Sequence, residues 1–481
     1  MEDQQEVKRY EQLAGDIAES IANGTLPPGA RLPSVRQTTA NRGVSPSTVF
    51  QAYYLLEARG LIQARPRSGY YVASGAAGVS EPEPSRPSGE QQDVEVSELV
   101  FQVLEHMRDR DLIPLGSAFP DPSLFPLDKL AMAQSKAMRG LDPWRTVEHL
   151  SPGNPELRRQ ITLRYLATAF AIDSNELIVT NGAMEALNLS LEVTTRPGDL
   201  VAVESPTFYG ALQALERLNL RAIEVPTHPR TGVDVPVLAT ILERHLVKAC
   251  WFMPNFQNPL GSLMPDEAKQ ALVQLLAERQ IPLIEDDVYG DLYFGTHKPR
   301  PAKAWDTQGL VLHCSSFSKT LAPGYRIGWV AAGRFAEAIA RRKLMSSLAA
   351  AVPSQEALSR YLQQGGYDRH LRRLRLTLLG NRAAALRSIA KHFPAGTRAS
   401  PPEGGYFLWI ELPLGVDALA LHWLALANHV SSAPGHLFSA DHRFRRHLRI
   451  NFGQADSSEL EMALKLLGKL AGSLVQRTPR S

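Results

Sequence analysis

Cysteine is nearly absent: Cys250 and Cys314 are the only two in 481 residues, and each sits inside an apolar, strand-like run. That excludes a disulfide framework and fits a reducing compartment. No uninterrupted apolar run is long enough to span a bilayer, and the first residues, with Glu2, Asp3 and Glu6, hold no apolar signal region. A cytoplasmic protein with no membrane partner is expected. Excess charge is scarce as well. A formal net charge of +3, spread over the whole chain, does not by itself argue for nucleic acid, so the distribution of charge matters more than its sum. No metal site is expected. What is present is ordinary for globular domains: 44% hydrophobic and 21% charged residues exclude disorder of the whole, and the length predicts about two to four domains.

Residues 1–73 read as a compact module. Tyr10, Leu13, Ile17 and Ile21 recur at helical spacing, and Asn23-Gly24 stops that helix. Ser34 is placed to cap a short second helix running through Ala40, after which Asn41-Arg42-Gly43 turns the chain. Ser45 caps a third helix with Pro46 at its first position, and Val49, Ala52, Tyr53 and Leu56 form its buried face. Residues 61–64 and 69–72 then read as two short strands around a basic tip, Arg65-Pro66-Arg67-Ser68. Between Ala22 and Ala73 six arginines (31, 36, 42, 59, 65 and 67) stand against one acid, Glu57, so this part alone is basic enough to face phosphates. Leu32-Pro33-Ser34-Val35-Arg36 matches the start of the GntR-family signature, and the segment resembles those winged helix-turn-helix regulators. The resemblance implies double-stranded DNA as a partner. Arg36, Arg65 and Arg67 would meet phosphate or a groove edge, and Ser45, Ser47 and Thr48 would enter the major groove at the start of the recognition helix. Pro46 departs from many relatives, which carry arginine there.

From residue 74 to 98 the composition shifts to Gly, Ala, Ser, Pro and acids, including Glu81-Pro82-Glu83-Pro84-Ser85-Arg86-Pro87. So little apolar surface predicts a flexible, extended linker ahead of a second module over 99–481.

In that second module apolar strands alternate with helical patterns. Residues 177–180, 200–203, 249–252, 282–284 and 310–313 are short apolar runs bounded by polar turns, the pattern of a mostly parallel sheet with helices on both faces. Asn181-Gly182-Ala183-Met184 turns from the first of them into a helix whose backbone N–H groups suit an anion, phosphate above all. Ser315-Ser316-Phe317-Ser318-Lys319, with Arg326 seven residues on, supplies what a pyridoxal phosphate Schiff base and its phosphate anchor require: an amine among hydroxyls, followed by a cation.

With Ser205-Pro206-Thr207-Phe208-Tyr209, Asn255-Phe256-Gln257-Asn258 and Glu285-Asp286-Asp287-Val288-Tyr289 at further strand ends, the stretch from about Leu112 to Leu474 resembles the fold-type I, aspartate-aminotransferase-like enzymes. The resemblance implies the cofactor pyridoxal 5'-phosphate, with Lys319 as the catalytic, Schiff-base lysine and Asp286 on the pyridine nitrogen. It also implies that Tyr289 and Asn258 bond the ring's phenolic oxygen and that Phe208 stacks on the ring. Gly182, Ala183 and Met184 would donate to the phosphate, Ser316 and Arg326 would complete its cup, and Arg449 in Leu448-Arg449-Ile450-Asn451 would clamp a carboxylate. The fold class implied is α/β, a winged helix-turn-helix followed by fold-type I aminotransferase-like large and small domains. This order of modules looks like the MocR subfamily of transcriptional regulators, which implies a homodimer sensing an amino compound through its large domain. An active aminotransferase working on an α-amino acid is the alternative, and fold resemblance does not separate the two.

Overall fold

The structure, a computed structural model, describes residues 9–22, 25–27, 29–58, 61–65, 68–72, 79–105, 111–148, 150–168 and 170–477. The first module consists of α1 (Arg9–Ala22), α2 (Val35–Arg42), α3 (Pro46–Ala58), β1 (Ile62–Arg65) and β2 (Gly69–Val72). Ser34 and Gln37 form a reciprocal capping box that starts α2, and Gly43, at φ 62°, closes it in the left-handed region. Val49, Ala52, Tyr53 and Leu56 fall on one face of α3 and pack with Leu13, Leu32, Ile62 and Val72 in a core of the module's own. The Tyr53 hydroxyl donates to the Pro33 carbonyl at 2.7 Å and lies 2.7 Å from Thr38 Oγ1, tying α3 to α2. The antiparallel pair β1–β2 runs from Ile62↔Val72 to Arg65↔Gly69 and forms the wing.

The large domain is built on β3 (Gln91–Gln92), β4 (Leu177–Thr180), β5 (Leu200–Ser205), β6 (Arg221–His228) with the short β7 (Gly232–Val233) beside it, β8 (Val247–Phe252), β9 (Leu283–Asp286), β10 (Val311–Ser316) and β11 (Gly328–Ala331). The strand order is β3-β6-β5-β8-β9-β10-β11-β4. Strands β6, β5, β8, β9 and β10 are parallel, whereas β3, β7 and β11 run antiparallel to their neighbours. Side chains alternate between two cores: Leu200 and Ala202 enter one and Val201 and Val203 the other, and Cys250 and Phe252 oppose Ala249 and Trp251 in the same way. Both faces being covered explains why these strands read as continuous apolar runs. The two cysteines are buried and free. The small domain adds β12 (Arg398–Ala399), β13 (Phe407–Glu411), β14 (Ala433–Pro434) and β15 (His447–Asn451), ordered β12-β13-β15-β14, beside the packed helices Gly366–His392 and Ser457–Arg477.

The linker expectation needs correction. Residues 79–96 are extended, as their composition implies, but they are fixed on the second module. Gln91 and Gln92 add a strand to the edge of β6, Val94 and Val96 are buried, and Glu216 accepts the Val96 and Ser97 N–H groups at 3.0 Å each. A proline-rich stretch has little conformational entropy to lose, so a few backbone pairings and two buried valines suffice to hold it. Its acids find partners that composition does not reveal: Glu81 pairs with Arg230, and Glu83 with Arg398 at 2.7 Å. The fold of the second module therefore starts well before residue 99, while residues 73–78 lie outside the described residues.

Candidate functional site

At the C-terminal ends of the parallel strands lies a cavity of about 200 Å³. Asp286, the last residue of β9, enters it beside Tyr289, and Lys319 reaches it from the turn after β10. Phe208 at the start of the helix Tyr209–Arg217, Asn258, Ala183, Met184, Ser316 and Arg326 line it as well. Gly182 precedes the helix Ala183–Thr194 and stands against Arg326. The residues expected to hold the cofactor are thus brought together from five separate stretches of chain.

The turn at Gly182 is built tightly. Gly182 has φ 82°, where an L side chain is strained, and a Cβ there would have to displace the Arg326 guanidinium, so glycine is favoured. Arg326 donates to the Asn181 carbonyl at 3.1 Å and to Ser318 Oγ at 3.3 Å. Glu185, in the first turn of the helix, accepts the Asn181 N–H at 2.6 Å and is paired with the buried Lys343 at 2.8 Å. Gly328 on β11 lets the turn lie against the sheet, since a Cβ on it would be 2.5 Å from the Gly182 carbonyl carbon.

Lys319 Nζ donates to the Ala118 carbonyl at 2.8 Å and sits 3.6 Å from the Phe119 ring centroid. Burial, with Arg449 and Arg326 nearby, pushes its pKa down to about 7. Burial next to Asp287 pushes the Asp286 carboxyl up to about 7, against the pull of Lys319. Asp286 Oδ1 is buried without a hydrogen-bond partner among the described residues. Such an orphan acceptor is costly unless a donor arrives, and a protonated pyridine nitrogen is a donor of the right kind. Burial also raises the Tyr289 phenol, which keeps it a donor.

Arg449 on β15 is fully buried. Its Nη1 donates to Asn258 Oδ1 at 3.1 Å and its Nη2 to the Gly116 carbonyl at 2.6 Å, while Nε has no partner among the described residues. By taking the Asn258 oxygen, Arg449 leaves the Asn258 amide N–H₂ as the donor of that side chain. The donors, the orphan acceptor and the glycine cradle fit pyridoxal phosphate.

Several residues of this site were not legible as motifs. Ala118 and Phe119 cap Lys319 from a loop that Asn451 holds by the Ser117 and Phe119 carbonyls at 3.1 and 2.6 Å and that Tyr406 holds by the Ala118 carbonyl at 3.0 Å. Ser318 was visible as the second serine of Ser-Phe-Ser-Lys, the one signal available for its contact with Arg326.

In the first module Arg36 is exposed on α2, and Ser45 and Ser47 are exposed at the start of α3 beside the half-buried Thr48. Ser45 Oγ lies 2.8 Å from both Ser47 Oγ and Thr48 Oγ1 and accepts the Thr48 N–H, so the cap gathers three hydroxyls. Arg65 ends β1, and Arg67 lies outside the described residues. Arg42 is paired with Asp16 on α1 at 3.0 Å.

Comparison with known proteins agrees with this division. Residues 9–72 match the bacterial regulatory protein gntR family, and residues 123–467 match aminotransferase class I and II. The uncharacterized HTH-type transcriptional regulator YdcR of Escherichia coli is 47% identical over 96% of this chain and 99% of its own. A second regulator of that organism, the uncharacterized YjiR, is 37% identical over 96% and 98%. Among solved structures, Pyrococcus horikoshii kynurenine aminotransferase superposes with a TM-score of 0.74 at 28% identity, covering 80% of this chain and 96% of that one. LysN, an α-aminoadipate aminotransferase of Thermus thermophilus complexed with N-(5'-phosphopyridoxyl)-L-leucine, gives 0.72 at 27%, covering 80% and 97%.

Proposed function

Since the chain belongs to the MocR-type branch of the GntR family, pyridoxal-phosphate-dependent transcriptional regulators with a class I and II aminotransferase domain, we propose that it responds to an α-amino acid held between Arg449 and the cofactor. The observation that carries this reading is the buried Arg449 guanidinium, whose Nε has no acceptor among the described residues and whose Nη1 is bonded to Asn258, a residue that lines the cavity together with Lys319 and Asp286. A carboxylate satisfies it with a charge-assisted bond.

The cofactor, when bound, supplies an aldehyde that condenses with amines and a ring that withdraws electrons. Lys319, its pKa lowered to about 7 by burial and by Arg449 and Arg326, carries a large uncharged fraction near neutral pH. Asp286 would hold a proton at the ring nitrogen, and Tyr289 and the Asn258 amide would donate to the phenolic oxygen. Phe208 would pack on the ring. Gly182, Ala183, Met184, Ser316 and Arg326 would take the phosphate. Arg36, Ser45, Ser47, Thr48, Arg65 and Arg67 contact DNA in a cytoplasmic homodimer, and ligand binding resets DNA affinity.

The test is a visible absorption titration of the purified, cofactor-loaded protein with individual amino acids, with keto acid assayed in parallel. A saturable spectral change for a subset of amino acids is expected. No spectral change with any of them would remove the proposal, and stoichiometric excess of keto acid would make the protein an aminotransferase.

A further inference from the structure

Residues 80–85 touch both domains that enclose the cofactor cavity. On the small-domain side, the Ser80 carbonyl accepts the Ala399 N–H at 2.9 Å, the Glu83 N–H donates to Glu411 Oε2 at 3.2 Å, and the Glu83 carboxylate meets Arg398 at 2.7 Å. On the large-domain side, Ser85 Oγ donates to the Ser205 carbonyl at 2.5 Å and accepts the Thr227 N–H at 3.2 Å. Each anchor lies close in sequence or register to a residue of the proposed site. Ser205 ends β5 three residues before Phe208, which lines it. Glu411 ends β13, whose register with β15 sets Trp409 opposite Arg449 and Glu411 opposite His447.

The strap is also the part of the second module nearest in sequence to the wing, which ends at Val72. We propose that residues 80–85 are the transmission element of the regulator: a strap stapled to both domains at positions adjacent to the cofactor and carboxylate contacts, so that a ligand-driven shift of one domain against the other alters how the winged helix is held. This deepens the ligand-responsive reading above and rests on it. Two packed bodies joined by a short strap with one anchor on each form an element whose state both sites can bias, which is what coupling between sites requires. The anchors are a few hydrogen bonds and a half-exposed ion pair, each individually weak, so a small displacement is enough to exchange them.

The experiment uses the full-length, cofactor-loaded protein and the double variant Glu83→Ala/Ser85→Ala. Neither residue contacts the cavity. DNA is a duplex selected by the wild-type protein from a random-sequence pool, and the probe is a mixture of the twenty common L-amino acids. Three quantities are read: the cofactor absorption band, the ratio of DNA affinities with and without the probe, and hydrogen exchange over residues 79–96. Coupling between sites typically spans about 5- to 150-fold. In the double variant the ratio should fall to about one, exchange of the 80–85 amides should rise, and the absorption band and its response to the probe should stay as in wild type. A variant that keeps the wild-type ratio overturns the strap while leaving the ligand-responsive reading intact. A wild-type ratio of one overturns that reading itself, and a variant that loses the cofactor band shows a structural role in place of a transmitting one.

Discussion

Lys319 and Asp286 are opposite charges whose burial drives both toward neutrality, one pKa falling and the other rising to about 7. Opposed shifts of this size cluster where functional residues trade stability for chemistry. Lys319→Ala should abolish the absorption band of covalently held cofactor, and reduction with borohydride should then leave no label on the chain; a retained label would place the linkage on another lysine. Asp286 gives a pH prediction. Its pKa is raised from 3.8 to about 7 in the folded state, so between those values the folded protein binds more protons than the unfolded one and stability falls as pH rises. Asp286→Asn removes that term. In cofactor-free protein the variant should match wild type near pH 4 and exceed it by a few kcal/mol at pH 8, the size of a three-unit shift. Urea melts across this range check it, and a constant difference would show that Asp286 does not titrate there.

The elements differ in how much the chain announces them. Parallel strands buried on both faces leave continuous apolar runs, and the glycine turn after β4 and the Ser-Phe-Ser-Lys turn after β10 are local in sequence, so those two turns were readable. Strand β11 was not, because Gly328 and its neighbours are defined by the strand they lie between. Arg449 is bonded to Gly116 across 333 positions, and no periodicity reports a closure of that range. The strap was misread for a related reason: composition measures how much apolar surface a segment can bury, whereas 79–96 is held by pairing with an existing sheet edge. Gly182→Ala tests the readable part. A Cβ at φ 82° both strains the backbone and displaces Arg326, so cofactor affinity should fall by about tenfold or more, each tenfold being about 1.4 kcal/mol. Fluorescence titration with pyridoxal phosphate measures it, and unchanged affinity would mean that the turn does not grip the phosphate.

At the scale of the molecule, the second module leaves apolar side chains in water around the helix Val352–Gln363. Leu127 and Met132 protrude from the helix Leu127–Arg139, which packs on it. Trp144 is 70% exposed beside Arg145, itself paired with Glu356 of the same helix at 4.0 Å, and Met345 is 80% exposed just before the helix begins. Exposed apolar surface of this kind suits an interface, and in the proposed homodimer a second copy would cover it with the symmetry that lets two winged helices read two half-sites. Fragments separate the contributions. A chain starting at residue 79 should be a dimer in sedimentation and bind pyridoxal phosphate. One starting at Val96 loses β3, Val94 and the staples at Glu83 and Ser85, and should melt several degrees lower, since a buried valine alone is worth about 1.5 kcal/mol or more and each kcal/mol moves the midpoint of a large domain by about 2–4 °C. A chain ending at residue 73 keeps the small core around Tyr53 and should bind the selected DNA about a hundredfold more weakly, because it has lost the effective concentration that a tethered partner provides. Equal melting of the two long fragments would return 79–96 to the status of a spacer. Full affinity in the short one would show that the cofactor domains do not place the DNA-reading heads.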